Sequence, residues 1–87
     1  MPDFKTEKLN LTYPCLWVYK IIGLDQNDMQ AAVSEIIQDR TCRISFSRQS
    51  ENAKYISLNL ELIVESESHR RALYDALRAH QAIKVVL

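Results

Sequence analysis

From Tyr55 to Val64 every second residue is aliphatic: Ile56, Leu58, Leu60, Leu62 and Val64. Of the intervening residues, Tyr55, Ser57, Asn59 and Glu61 are polar or amphipathic, and only Ile63 is aliphatic. Side chains of a strand point alternately to its two faces, so this stretch predicts a long strand with one face in a core. A slip of one residue would bury Glu61 and expose the whole aliphatic row, which fixes the register firmly. A chain that commits so many side chains to one sheet face must supply something to cover it.

The cover is a pair of helices. Met29, Ala32, Val33, Ile36 and Ile37 fall at helical spacing and make one apolar stripe. Asn27 is the expected N-cap, Gln30 would complete a capping box, and the helix is expected to run to about Arg40. A second helix is expected after Ser66, its cap, with Glu67 suited to the helix dipole and Leu73, Tyr74, Ala76 and Leu77 on its apolar side.

Three further strands complete the pattern. Tyr13-Pro14 forces an extended entry into Cys15–Ile22, which places Trp17, Tyr19 and Ile21 on one face and Val18, Lys20 and Ile22 on the other. Arg43–Arg48 alternates with Ile44 and Phe46 inward, and Ile83–Leu87 is a short closing strand. Gly23, the sole glycine, ends the first strand, where it is expected to need either positive φ or a close backbone approach.

The order is thus β, α, β, β, α, β. One antiparallel sheet of four strands with both helices on one face satisfies it, the ferredoxin-like α+β arrangement. The first and third strands belong in its centre and the second and fourth at its edges. Residues 1–12 read as a flexible N-terminal tail, and 13–87 as a single domain. A chain of 87 residues buries only roughly 60–65% of its unfolded surface, so few apolar residues can be spared.

Composition narrows the functional classes. Eleven basic residues balance eleven acidic ones, so no net charge draws the chain to nucleic acid or to an anionic membrane. No apolar run spans a bilayer and no signal core opens the chain, so the cytoplasm is the expected location. In that reducing compartment Cys15 and Cys42 are expected to be thiols rather than a disulfide.

The chemistry-bearing constellations fail in turn. A soft-metal carrier of this fold needs a Cys-x-x-Cys pair after the first strand, but that loop reads Gly23-Leu24-Asp25-Gln26-Asn27. His69 and His80 stand too far apart on one helix to share a metal. The same loop lacks the arginine that a phosphoryl-transfer site would use, and neither cysteine has a base beside it. No catalytic residue, metal or cofactor is therefore assigned. For base stacking the open sheet face offers Tyr55 alone, with Arg43, Arg48 and Lys54 toward one edge, so nucleic acid is an unfavoured partner. Val18, Ile22, Ile63 and Val86 are expected to face outward, and this apolar exposure suggests a covering protein or a second copy.

Tyr13-Pro14, Tyr19-Lys20-Ile21-Ile22-Gly23, Ser50 with Tyr55-x-Ser57, Leu73-Tyr74-x-x-Leu77 and the ending Ile83-Lys84-Val85-Val86-Leu87 occur in that order. Together they resemble the YbeD-like family of small bacterial proteins, across Tyr13 to Leu87. The resemblance implies a ferredoxin-like fold and a likeness to the ACT regulatory domains, which bind amino acids and similar effectors, often at a dimer interface. It places a small polar effector at Gly23, with Asp25 and Asn27 as polar contacts, and a homodimer as the assembly. The alternative is a protein-interaction adaptor using Val18, Lys20, Ile22, Tyr55, Ser57 and Asn59 on the open face. Neither reading involves an enzyme activity.

Overall fold

The computed structural model describes residues 11–49 and 54–87. Most of the expected tail, and the 50–53 part of the connection between the second and third strands, lie outside the described residues.

The elements are β1 (Cys15–Gly23), α1 (Gln26–Ile37), β2 (Cys42–Gln49), β3 (Ile56–Val64), α2 (Glu67–Ala79) and β4 (Val85–Val86). They build one antiparallel sheet in the order β2-β3-β1-β4, with the first and third strands central. β1 and β3 pair along their whole length, from Cys15 opposite Val64 to Gly23 opposite Ile56. In this register Tyr19 meets Leu60 and Ile21 meets Leu58 on the face that the helices cover. Met29 and Val33 of α1 and Leu77 of α2 close over them, all fully buried. Removing water from each such aliphatic side chain stabilises the fold by about 1.5–3 kcal/mol.

Several local expectations need correction. Asp25, not Asn27, caps α1: its Oδ1 accepts from the Asp28 amide at 2.9 Å and its carbonyl from Met29 at 3.0 Å. Both Asp and Asn cap well, and only the geometry of the turn after Gly23 decides between them. The helix stops at Ile37 rather than Arg40, because Gln38 turns to φ 63° and donates its N–H to Ser34. β3 starts at Ile56, leaving Tyr55 in the approach to the strand. Phe46 lies opposite Leu58, hence toward the helix side, yet stays 55% exposed. A bulge between Phe46 and Arg48 interrupts the ladder there, and Phe46 lies outside the core cluster that Cys42 and Ile44 of the same strand join. Val86 pairs with Ile21 and is buried, so Val85, opposite Ile22, takes the outward position.

Gly23 answers to close approach, not to positive φ. A Cβ at this position would sit 2.6 Å from the carbonyl oxygen of Ala82 and 2.8 Å from Sδ of Met29. Met29 can swing aside, but the Ala82 carbonyl belongs to the backbone leading into β4. Gly23→Ala is therefore expected to destabilise the fold by about 1–3 kcal/mol through overpacking. Chemical denaturation of the two proteins checks this, and an unchanged midpoint would refute the close approach.

Candidate functional site

Three regions qualify, and each is set by a different part of the sheet. At the end of β1, Gly23 is buried and serves the packing of β4 against α1. Asp25 spends a carboxylate oxygen on the helix cap, while Asn27 is exposed in the first turn of α1. Alongside this turn runs a groove of about 510 Å³ between α1 and the segment joining α2 to β4. Asp28, Glu35, His80 and Lys84 supply its charged and titratable lining. His80 is already engaged: Nε2 lies 3.1 Å from Oε1 of Glu35, and Nδ1 accepts from the Ala82 amide at 3.1 Å. His69 is likewise used locally, its Nδ1 accepting from the Glu65 amide at 2.9 Å.

The second region is the sheet face opposite α1 and α2. The ladder arranges it in rows: Leu16 beside Ile63; Val18, Glu61 and Arg43; Lys20, Asn59 and Ser45; then Ile22, Ser57 and Arg48. Val85 extends the last row past Ile22. Leu16, Val18, Ile63 and Val85 are exposed by 59, 47, 45 and 42% respectively. Glu61 and Arg43 approach to 3.7 Å across the ladder, so both charge signs stand among the aliphatic groups. Lys20, Ile22 and Asn59 are half-buried. Ser57 was expected to be open but is only 8% exposed, because its short side chain sits between those of Ile22 and Arg48. Tyr55 precedes the strand, with the Lys54 ammonium 5.4 Å from its ring centre. The residues assigned to this face thus gather along β1 and its neighbours, with Tyr55 apart.

The third region was not singled out in the sequence. A cleft of about 490 Å³ opens where β1 faces α2, lined by Trp17, Val18, Tyr19, Arg70, Tyr74 and Leu87 among others. The Arg70 guanidinium lies over the Trp17 ring at 4.7 Å, and its Nε donates to the Tyr13 hydroxyl at 3.1 Å. That hydrogen bond raises the Arg70 pKa above its ordinary value. Tyr19 donates its hydroxyl proton to the Arg70 carbonyl, which ties α2 to the central strand. Trp17 and Tyr19 on one face of β1, with Arg70 and Tyr74 one turn apart on α2, were the available signal. Their meeting depends on how α2 crosses the sheet, which periodicity does not report.

Cys15 and Cys42 are free thiols flanking β3, opposite Val64 and Leu62. Among the described residues no helix is long and apolar enough to cross a membrane.

Among the described residues, fold and site together define a small α+β module: four antiparallel strands, two helices on one face, the other face open. The model of the family described as "Protein of unknown function (DUF493)" matches residues 8–87, and the chain belongs to that family. It is 33% identical over 91 residues to a UPF0250 protein of Hahella chejuensis, with all of both chains covered. It is 33% identical over 89 residues to a UPF0250 protein of Pseudomonas syringae pv. tomato, covering 98% of this chain and 96% of the other. The YbeD-like family resemblance is thereby established. The solution structure of protein HP0495 from H. pylori matches with a TM-score of 0.80 at 26% identity, covering 100% of this chain and 94% of that one.

Burial pushes the Tyr19 pKa up to about 12 from its ordinary 10.0, against the lowering effect of the Arg70 charge. The folded state therefore holds this proton after the unfolded chain has released it. The corresponding stability is complete below pH 10 and is lost as pH climbs through about 12. Denaturation midpoints measured across this window should fall more steeply for the native protein than for Tyr19→Phe. Parallel curves would show that Tyr19 titrates normally.

Proposed function

We propose that this chain is a non-catalytic binding module that docks a protein partner on its open sheet face. One observation carries the reading: Leu16, Val18 and Ile63 form an exposed aliphatic cluster on the two central strands, with Val85 exposed beside Ile22 at the other end of the same face. A domain this small gains most from burying such side chains, and contiguous apolar exposure marks an interaction surface. Lys20, Arg43 and Glu61 on the same face would set partner choice and register by charge. A second copy of the chain is one such partner, since the face carries both charge signs and could meet its own opposite charges across a two-fold axis.

The groove beside α1 favours a second reading, the small polar effector that the likeness to ACT domains implies. Asp28, Glu35, His80 and Lys84 offer both charge signs to a zwitterion or an organic acid. Gly23 and Asp25 would act on this site only indirectly, through packing against Met29 and capping of α1, and Asn27 lies outside its lining.

A lysine introduced by Val18→Lys would face Glu61 across the ladder, so the fold should persist. The substitution is expected to abolish partner capture, or dissociation-sensitive self-association in sedimentation, with little change in thermal midpoint. Capture that survives it would defeat the docking reading. For the effector reading, thermal unfolding against a panel of amino acids, organic acids and nucleotides is the test. A true effector at a hundred times its Kd should add roughly 2.7 kcal/mol of stability, several degrees in a domain of this size. A flat panel removes that reading.

A further inference from the structure

β4 covers only part of the strand it pairs with. Lys20 N–H donates to the Leu87 carbonyl at 3.1 Å and Leu87 N–H to the Lys20 carbonyl at 2.8 Å. Lys84 N–H donates to the Ile22 carbonyl at 2.7 Å. Main-chain groups that point to one neighbouring strand recur at every second residue. Val18 and Leu16 therefore present their N–H and C=O toward the same side as Lys20 and Ile22. Among the described residues no backbone group pairs with them there. Among the described residues, β1 thus presents a bare edge over Leu16–Val18, a ready template for another strand.

The bare edge adjoins the cleft between β1 and α2, so a chain laid along it would send alternate side chains over Trp17, Tyr19 and Tyr74. The charges there select among chains. Arg71 is paired with Glu67 at 3.3 Å, whereas Arg70 makes no ion pair among the described residues. Its Nε is held by Tyr13 and its plane by Trp17. The terminal nitrogens remain in a fixed fork, the geometry that grips a carboxylate through two hydrogen bonds. Asp75 also lines the cleft and opposes a second acidic group.

We propose that the Leu16–Val18 edge is a strand-addition site for an extended peptide bearing a single carboxylate, which Arg70 receives. Backbone pairing supplies the affinity, and the arginine fixes register and chemistry. The proposal rests on the reading of the chain as a binding module, but it uses the edge of β1 rather than the open face.

The probe is a blocked heptapeptide of alternating valine and threonine with one central aspartate, titrated into the isotope-labelled chain by NMR. The amide signals of Leu16 and Val18 should shift and gain exchange protection. Changing the aspartate to asparagine should weaken binding by about tenfold, the equivalent of 1.4 kcal/mol and within the range of a charge-assisted hydrogen bond. Arg70→Gln should erase the difference between the two peptides, while Asp75→Asn should preserve it. N-methylation of the residues facing β1 should abolish binding. Absence of shifts at Leu16 and Val18 with millimolar peptide would overturn the proposal, as would equal affinity of the two peptides for the native chain. Comparing the peptides requires no variant, so a misfolded Arg70→Gln protein would not obscure the result. Ile63→Glu, on the open face, should leave this titration intact while disrupting partner capture there, which separates failure of the edge proposal from failure of the docking reading.

Discussion

The antiparallel pairing of β1 with β3 is the constraint on which everything else rests. It runs unbroken from Cys15 opposite Val64 to Gly23 opposite Ile56. It puts Tyr19, Ile21, Leu58 and Leu60 into one buried patch. Both helices dock on that patch, and both edge strands take their register from these two. Because the side-chain period is two, the same pairing that fills the core also lines up Leu16, Val18 and Ile63 on the far face. Core and open face are therefore two outcomes of one register.

A single helical layer has a second consequence. The core that α1 and α2 close over takes in β1 and β3 but leaves part of β2 outside it. Phe46 on β2 remains exposed, and among the described residues no backbone group pairs with the outer side of β1 at Leu16 and Val18. Where α2 overlies β1, Tyr19 and the Arg70 carbonyl lock the two elements together, while the Arg70 side chain turns out over Trp17. One residue of α2 thus serves packing through its backbone and presents a charge through its side chain.

Much of the core was legible because period-two and helical spacing report directly on burial. Ile56 to Val64, Met29 to Ile37 and Trp17 to Ile21 all lie on the faces their spacing predicts. The lapses are equally physical. Asp25 and Asn27 are chemically similar caps, and the choice falls to the turn that Gly23 permits. Phe46 obeys the alternation but lies outside the core cluster, and Val85 exchanges roles with Val86 because two-residue β4 has too little pattern to reveal its phase. The sequence-level site residues Val18, Lys20 and Ile22 do share one face with Asn59. Gly23 and Asp25 instead have structural duties that a motif does not disclose.

The sequence by itself determined the element order, the sheet-and-helix division of apolar residues, and the absence of a net charge. These are local or compositional properties, readable because burial imposes a period on the chain. Only the tertiary structure decided that Arg70 stacks on Trp17, that Gly23 must clear the Ala82 carbonyl, and that β4 pairs with only part of β1 among the described residues. Each depends on how far one element overlaps another after packing, and no side-chain period encodes the extent of an overlap.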